Sequence, residues 1–324
     1  MIVVTGSAGF IGRNLVEHLN RNGFYDLILV DEYQDNPAKT SSLDFLGYSE
    51  IIDRKDFFVW AKQNQEYVDF VFHFGARTDT TEKDEKIFSE LNLKYSQDMW
   101  DFCSDFDIPF LYASSAATFG NGELGFDNGF EKVDLYNPLN PYANSKNEFD
   151  KWVKQQIKTP PRWVGFKFFN VYGPGESHKG RMASVVWHSF NQIKNTGRIK
   201  LFRSHHKDFA DGGQCRDFVH VADVVSICFE WMNNGYSGLY NLGSGTASTF
   251  LELSNCIFQS LGIEKQIEWI DTPIEIRDSY QYFTQADMSW MRKQSWDYRF
   301  KSLTEGVSSY IKILNDLKPG PTDI

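Results

Sequence analysis

The sequence predicts an α/β fold built on a doubly wound parallel sheet, with a smaller mixed α/β domain toward the C-terminus. Three observations support this prediction. Short apolar runs alternate with amphipathic helical segments up to residue 173, which is typical of strands covered by helices on both faces. A glycine-rich turn separates the first apolar run from the first helical segment. After residue 173 the segments become shorter and more mixed.

The first unit along the chain is strand, turn, helix and strand. IVVT predicts the first strand, RNLVEHLNRNG predicts a helix that ends at Gly23, and LILVD predicts the second strand. This order is a βαβ unit, which implies parallel strands joined by a right-handed crossover.

The alternation continues over the next segments. VDFVFHFGA (68–76), PFLYASS and WVGFKFFNVYG (163–173) predict strands, and KIFSELNLKYSQDMWDFCSDF predicts a helix. A further helix, NPYANSKNEFDKWVKQQI, is expected to be opened by Asn137 and Pro138. We expect a Rossmann-type domain over 1–173, to which 214–245 returns, and a smaller substrate-binding domain over 174–324.

Composition narrows the class of protein. The 324 residues include 41% hydrophobic and 23% charged residues, which is ordinary for a soluble globular protein. A net charge of −10 argues against general nucleic-acid binding. The four cysteines lack C-x-x-C spacing and predict reduced thiols. With no signal-peptide pattern and no apolar run of membrane-spanning length, we expect a cytoplasmic protein that does not enter a membrane.

Gly6, Gly9 and Gly12 form a G-x-x-G-x-x-G turn between the first strand and helix. In this pattern the first glycine permits a tight turn, the second lets the backbone approach a pyrophosphate, and the third lets helix and strand pack closely. The helix N-terminus adds N–H donors and partial positive charge. The turn therefore predicts an NAD(P)-binding domain.

Asp31 ends the second strand, 19 residues after Gly12, where a carboxylate can bind the adenosine ribose hydroxyls. Glu32 adds negative charge that disfavours a 2′-phosphate. Lys39 and Arg54 offset that charge if they fold over the adenine end. These residues leave NAD and NADP open.

Tyr142 and Lys146 lie four residues apart on a predicted helix, and so on one face of it. We expect the lysine to favour the phenolate and lower the pKa of Tyr142, which can then exchange protons near neutrality. Lys146 can also hold the nicotinamide ribose. Ser114 and Ser115 close the PFLYASS strand, and either can bind a substrate hydroxyl.

Four ionisable residues, Glu176, His178, Lys179 and Arg181, follow the turn in FNVYGPGESHKGRMAS. One interpretation is a solvated loop, and the other is that Lys179 acts on a substrate. His205, His206, Asp208 and Asp211 form a second polar loop, for which we expect solvation and no metal.

The motifs TGSAGFIG, HFGA, YASSAATFG, Tyr142-x-x-x-Lys146 and FNVYGP resemble the extended short-chain dehydrogenase/reductase superfamily over nearly the whole chain. Within it, SSAATFG, FNVYGPGESHKGRMASV and YQYFTQAD are similar to the ADP-glycero-manno-heptose 6-epimerase family. The resemblance implies an isomerase that epimerises ADP-heptose at C6 for lipopolysaccharide core synthesis. It implies tightly bound NADP, with NAD as the alternative, and a homo-oligomer, a pentamer by family precedent.

The resemblance also implies roles for individual residues. The catalytic set is Tyr142 and Lys179 as the pair of bases, with Ser115 and Lys146. The cofactor set is Gly6, Gly9, Phe10, Ile11, Gly12, Asp31, Glu32, Lys39, Arg54, Phe74, Gly75, Ala76, Asn92, Lys146, Val171 and Lys179. The substrate set is Ser114, Ser115, Asn170, Arg181, His188, Phe202, Arg216 and Tyr280.

Three departures from the resembled family bear on this assignment. Glu32 replaces a neutral residue, Arg181 stands where a small residue is usual, and the loop RSHHKDFADGGQC is longer. A sugar-nucleotide dehydratase is disfavoured because Ala116 and Ala117 occupy the positions of its acid/base pair. Another nucleotide-sugar epimerase, or a non-catalytic NAD(P)-binding sensor or scaffold protein, remains the alternative.

Overall fold

The computed structural model describes residues 1–34, 37–277 and 280–316. The strands are β1 (Ile2–Thr5), β2 (Leu27–Asp31), β3 (Glu50–Asp53), β4 (Phe70–His73), β5 (Phe110–Ser115), β6 (Trp163–Phe168), β7 (Asn170–Tyr172), β8 (Ile199–Phe202), β9 (Cys215–His220), β10 (Gly238–Leu242), β11 (Ala247–Thr249) and β12 (Ile267–Ile270). The α-helices are α1 (Phe10–Arg21), α2 (Pro37–Ser41), α3 (Phe57–Asn64), α4 (Glu85–Phe88), α5 (Tyr95–Asp105), α6 (Pro141–Lys154), α7 (Val185–Thr196), α8 (Val221–Asn234), α9 (Phe250–Leu261), α10 (Ile274–Arg277), α11 (Ser289–Lys293) and α12 (Leu303–Asp316). A π-helix spans Ser89–Lys94, and 3-10 helices span Gln65–Tyr67, Ala116–Phe119 and Ser177–Met182.

The central sheet has seven strands in the order β10-β6-β5-β4-β1-β2-β3, and all its strand pairs are parallel. From β1 the chain builds outward through β2 and β3, and from β4 it builds the other way through β5 and β6. The neighbours β1 and β4 are therefore the topological switch point, where sheets of this kind bind ligands. This arrangement confirms the predicted doubly wound, Rossmann-type fold.

The strands bury alternate residues on opposite faces of the sheet. Val4 and Leu29 belong to one core cluster, which also contains residues of α1 and α8. Val3 and Ile28 belong to a second cluster, which contains residues of α3, α5 and α6. Helices therefore cover both faces, which is why these strands read as continuous apolar runs.

A second layer follows the central sheet along the chain. It contains a three-stranded sheet, β11-β9-β7, and a two-stranded sheet, β12-β8. Residues of α7, α9 and α12 form their own apolar cluster with these strands. Strand β10 joins the central sheet, whereas β9 pairs with β7 and β11. The division into domains at residue 173 stays a prediction.

The single strand predicted over 163–173 is wrong. Trp163–Phe168 lies in the central sheet and Asn170–Tyr172 in the three-stranded sheet. The chain changes sheets at Phe169, whose N–H donates to Leu242 O at 3.1 Å. Both pieces are apolar, so the sequence pattern does not reveal the change of partner.

The predicted start of the following catalytic helix is also wrong. The helix begins at Pro141, and the side chain of Asn140, not Asn137, accepts from Ala143 N–H at 2.8 Å. Two Asn-Pro pairs occur here, and only the second lies beside the first helical turn. Among the described residues, no helix has both the length and the apolar character needed to cross a membrane.

A buried histidine links the two strands at the switch point. His73 Nδ1 lies 2.7 Å from Thr5 Oγ1, and Nε2 lies 2.9 Å from Ser96 Oγ. Ser96 donates its proton to Asn92 O, so it accepts from Nε2–H of His73. Nδ1 is then the acceptor for Thr5, whose oxygen accepts from Gly75 N–H at 3.0 Å. Neutral His73 satisfies this chain, and burial lowers its pKa to about 3.

We expect His73→Gln to reduce the loss of stability on acidification. Below pH 6.5 the unfolded chain protonates His73 while the folded protein does not, so the free energy of unfolding falls by up to about 1.4 kcal/mol per pH unit from 6.5 toward 3. Glutamine keeps two polar ends and removes the titration. Urea unfolding at pH 7 and pH 5 should show the variant losing about 2 kcal/mol less than the wild type. An equal loss, or the same effect in His206→Gln, would contradict this.

Candidate active site

The glycine-rich turn brings the ends of β1 and β4 into contact. Gly6 has φ of +67°, and a Cβ there would lie 2.7 Å from the Gly75 nitrogen. A Cβ at Gly12 would lie 2.1 Å from Gly6 O. Gly9 precedes α1 without a side-chain cap, and the first turn of α1 contains no acidic residue. This first turn, which includes Phe10 and Ile11, therefore has the features of an anion site.

Two acids and two cations cluster where β2 ends. Asp31 accepts from Ala8 N–H at 3.1 Å and from the Lys39 ammonium at 2.6 Å. Arg54 donates to Glu32 at 2.6 Å. All four charged side chains are partly buried. Because the cations offset the acids, Glu32 does not by itself exclude a 2′-phosphate.

Phe74, Gly75 and Ala76 directly follow β4, and a π-helix holds the loop beyond them. Asn92, in this π-helix, is 1% exposed. Its amide donates to Arg77 O and Ser145 Oγ, both at 3.0 Å, and accepts from Arg77 N–H at 2.7 Å. The predicted helix from residue 86 is thus interrupted, as is common near functional sites. Asn92 contacts the loop backbone and α6.

Tyr142 and Ser115 meet at the start of α6. Interaction with the Ser115 side chain lowers the pKa of the Tyr142 phenol, against the larger effect of burial. Ser115 Oγ accepts from Ala117 N–H at 3.1 Å, which leaves its proton for the phenol oxygen. Lys146 is buried one turn further along α6 and donates to Ala113 O at 2.7 Å. Tyr142 and Lys146 thus lie on α6 and Ser115 lies at the end of β5, and their joint catalytic role stays a prediction.

The predicted lowering of the Tyr142 pKa is wrong. Burial raises the pKa of Tyr142, and the hydrogen bond with Ser115 offsets only part of this effect. Burial also lowers the pKa of Lys146 to about 8, against the opposing charge of Asp150. Desolvation thus favours the neutral form of both groups.

A buried polar network lies beneath this constellation. Asp150 accepts from Ser114 at 2.7 Å, Tyr112 at 3.0 Å and the Lys167 ammonium at 2.6 Å. Lys167 also donates to Thr118 Oγ1 at 2.6 Å. Ser114 is 2% exposed, and its hydroxyl donates a hydrogen bond to Asp150. The hydroxyl proton is therefore not available to a substrate. The sequence signal for this network was a lysine inside the apolar strand WVGFKF, which requires a buried acid.

Residues 176–184, which we call the strap, leave β7 and cross above α1. Glu176 is fully buried and accepts from both the backbone N–H and the hydroxyl of Ser184 at 2.6 Å. Lys179 Nζ lies 5.0 Å from the centre of the Phe10 ring. Burial lowers the pKa of Lys179, which Glu176 partly offsets. Lys179 is thus half-buried against Phe10, whereas Ser177, His178, Gly180 and Arg181 are exposed, and a role for Lys179 on a substrate stays a prediction.

Arg181 and His188 meet beside Lys179. Arg181 donates to Asp79, in the loop after β4, at 2.8 Å. His188 Nε2 lies 3.3 Å from Arg181 O. The expected substrate residue Arg181 is thus paired within the protein. Asp79, 102 residues away in the chain, was missed because no local pattern marks it.

The remaining predicted substrate residues gather in the second layer. Arg216 is 8% exposed and lies 5.6 Å from the ring centre of Tyr280, whose ring lies 6.1 Å from Phe202. Asn170 and Val171 lie on β7, which pairs with the strand carrying Arg216. Burial lowers the pKa of Arg216, which nevertheless stays a cation near neutrality.

The histidines of the long loop have other contacts. Within residues 1–34, 37–277 and 280–316, no three His, Cys, Asp or Glu side chains converge to hold a metal ion. Asp211 pairs with Arg203 at 3.2 Å, and His206 Nδ1 lies 3.8 Å from Asp208.

Comparison with known proteins agrees with this geometry. The model of the NAD dependent epimerase/dehydratase family matches residues 2–243. The chain belongs to this family. As a member of the epimerase/dehydratase family it is an NAD(P)-dependent epimerase, and its glycine turn, uncapped helix N-terminus and strand-ending acid fit a nicotinamide dinucleotide.

Individual members of the epimerase/dehydratase family are similar over their full length. The chain is 40% identical over 323 residues to an ADP-L-glycero-D-manno-heptose-6-epimerase of Fusobacterium nucleatum, covering 96% of this chain and 97% of that protein. The crystal structure of the Helicobacter pylori ADP-L-glycero-D-manno-heptose-6-epimerase has a TM-score of 0.80 at 25% identity, covering 98% and 96%. UDP-glucose 4-epimerase of Thermus thermophilus, solved with NAD, has a TM-score of 0.75 at 20% identity, covering 97% and 99%, which shows the common fold.

We expect Asp150→Ala to destabilise the protein by about 3–5 kcal/mol, because it leaves the buried Lys167 charge unpaired. Lys167→Met should destabilise the protein by a similar amount, because it leaves the buried Asp150 charge unpaired. The double variant should lose less stability than the sum of the two single losses, since with both residues replaced no buried charge is left unpaired. Denaturant unfolding measures all three, and Lys154→Met, at a half-exposed ion pair, is the control. Additive losses would contradict the coupling.

Proposed function

We propose that this chain is an ADP-L-glycero-D-manno-heptose 6-epimerase. It would convert ADP-D-glycero-D-manno-heptose to the L-glycero epimer by transient oxidation at C6 and return of the hydride to the opposite face. The observation that carries this proposal is the placement of an ionisable phenol and an ionisable amine on separate elements, Tyr142 on α6 and Lys179 on the strap. The 40% identity to the Fusobacterium nucleatum enzyme supports the choice of sugar.

Inversion at one carbon needs proton transfer at two orientations of its oxygen. A single side chain is poorly placed for both, whereas groups on separate elements can bracket the carbon. Tyr142, whose pKa is raised, rests as a neutral phenol and is the proton donor through Oη. Lys179, whose pKa is lowered, has a larger neutral fraction and is the better acceptor through Nζ. Ser115, whose side chain interacts with the Tyr142 phenol, would orient that phenol.

The remaining residues bind and orient. The nicotinamide dinucleotide, when bound, supplies the hydride acceptor and donor. Lys146, held by Ala113 O, would bind the nicotinamide ribose, and Asp31 the adenosine ribose. Arg216 would pair with the diphosphate of the sugar nucleotide, because a guanidinium binds phosphate oxygens in a bidentate manner.

NADP is the form of cofactor we favour. Lys39 and Arg54 both lie at the end of β2, where a 2′-phosphate would be bound. Ion pairs with Asp31 and Glu32 already hold Lys39 and Arg54 in position, so the two cations would be in place to bind a phosphate. NAD is the alternative, since the same two acids oppose a further negative charge.

A different nucleotide-sugar epimerase of the same superfamily is the second candidate. Arg181 favours it, because a long cation stands beside the proposed base where the ADP-heptose enzymes carry a small residue. The deciding experiment incubates the purified protein with ADP-D-glycero-D-manno-heptose and follows the C6 epimer by NMR. Formation of the epimer supports the proposal. Bound cofactor without epimer, or turnover of UDP-glucose instead, rejects it.

We expect Tyr142→Phe and Lys179→Ala each to lower kcat by about 10²–10⁴-fold, the usual contribution of a positioned acid or base. Nicotinamide dinucleotide binding should survive Tyr142→Phe, because the phenol lies at the proposed sugar end of the site. Tyr236→Phe and Lys200→Ala, at exposed positions, are the matched controls. Wild-type turnover in both active-site variants would exclude the two-group mechanism.

We expect Lys39→Met to weaken binding of NADP by about tenfold, the value of one charge-assisted hydrogen bond, and binding of NAD much less. Arg54→Gln should act in the same direction. Titration of each nucleotide into cofactor-free protein measures the ratio, and mass spectrometry of the nucleotide released from purified protein identifies the native form. Equal weakening of both nucleotides would show that the cations do not read the 2′-phosphate.

A further inference from the structure

The strap contains the 3-10 helix Ser177–Met182, and hydrogen bonds of Glu176 hold its two ends. Glu176 accepts from Gly173 N–H at 3.4 Å at one end of the strap and from the backbone and hydroxyl of Ser184 at 2.6 Å at the other. Glu176 itself is fully buried. Ser184 is also the N-cap of α7, where its Oγ accepts from Trp187 N–H at 3.3 Å. Glu176 thus connects the two ends of the segment that contains residues 177–182.

The middle of the strap contacts both sides of the switch point. On one side, Lys179 Nζ lies over the ring of Phe10, in the first turn after the glycine motif. On the other side, Arg181 donates to Asp79 in the loop after β4. Strands β1 and β4 are neighbours in the sheet. The strap thus crosses the crevice in which a sheet of this order binds a dinucleotide.

Asp79 is prepared to receive the arginine. Its Oδ1 accepts from the hydroxyl of Thr81 at 2.7 Å and from Thr81 N–H at 2.9 Å, and its Oδ2 accepts from Arg181 at 2.8 Å, with the Arg77 guanidinium 3.9 Å from the same oxygen. These hydrogen bonds, from Thr81 first and then Arg181, lower the pKa of Asp79. The carboxylate is therefore ordered and ionised before any ligand arrives.

The loop that carries Asp79 is tied to the catalytic helix. Asn92 binds both backbone groups of Arg77 and donates to Ser145 at 3.0 Å. Ser145 donates in turn to Tyr142 O at 2.7 Å. A series of hydrogen bonds thus connects Tyr142 to the loop that contains Asp79. The ion pair with Arg181 extends this chain to the element that carries Lys179.

We propose that Arg181 and Asp79 form a clasp that holds the strap closed over the cofactor crevice and positions Lys179 opposite Tyr142. The clasp rests on the proposed function in one respect, that the crevice binds a nicotinamide dinucleotide. Arg181 is 66% exposed, so the pair adds little to global stability. Its effect is on the closed position of the strap, and hence on release of the cofactor and on the rate of proton transfer.

The test measures how fast bound cofactor leaves the protein. NADPH bound to the purified protein is chased with excess NADP, and the loss of its fluorescence gives the dissociation rate. Asp79→Asn and Arg181→Gln should each raise this rate about fivefold, and the double variant should raise it no further. Increasing salt should accelerate release from the wild type and not from Arg181→Gln, because salt screens an exposed pair.

The controls separate the clasp from general effects. Arg299→Gln removes a similar arginine–carboxylate contact of 2.7 Å that lies at the start of α12, and should leave the rate unchanged. Thermal unfolding of every variant should match the wild type within a few degrees.

Three results would overturn the clasp and leave the proposed function intact. Release rates within twofold of the wild type in both single variants would show that the pair does not hold the strap. An additive double variant would show that the two residues act separately. A raised KM for the sugar in Arg181→Gln, with Asp79→Asn unaffected, would assign Arg181 to the substrate instead. A protein that binds no nicotinamide dinucleotide would reject the proposed function itself, and the clasp with it.

Discussion

The active site depends on one buried carboxylate. Asp150 is fully buried, and an isolated carboxylate in such a place would cost several kcal/mol. Lys167, Ser114 and Tyr112 satisfy it from the neighbouring strands β5 and β6. These bonds fix helix α6 in one position against the sheet. Because the candidate proton donor lies on the same helix, its position follows from the need to neutralise a charge two turns away.

The same desolvation sets the chemistry of the side chains above. Burial raises the pKa of Tyr142 and lowers those of Lys146 and Lys179, so each group is shifted toward its neutral form. A neutral phenol can donate a proton and a neutral amine can accept one, so each shift favours the form that the proposed role of the group requires. A lysine that lowered the pKa of the phenol, as expected from the sequence, would have given a different resting state. The error lies in treating the Tyr-Lys pair as solvated.

The sequence predicts what is local and periodic. Strand alternation, the glycine turn and the acid after β2 follow from neighbours in the chain, and the structure has them in place. The sheet change at Phe169 and the π-helix around Asn92 depend on tertiary partners, and no sequence pattern marks them. The long-range pairs are the hardest case. A lysine in an apolar strand indicates that a buried acidic residue pairs with it, but the sequence does not identify which acidic residue this is.

The two candidate proton-transfer groups are held by opposite means, and the difference has a physical reason. Tyr142 lies on helix α6, which buried charged groups hold against the sheet. Close packing of the core allows that helix only one position. Lys179 lies on a loop whose base is fixed by Glu176 and whose middle is held by a ring contact and an exposed ion pair. A site that encloses its cofactor must still open to admit it. Buried pairs are too costly to break in every cycle, whereas an exposed pair is worth about 1 kcal/mol or less. In the proposed clasp, the weak contact is placed on the strap, which would therefore be the part of the site that opens.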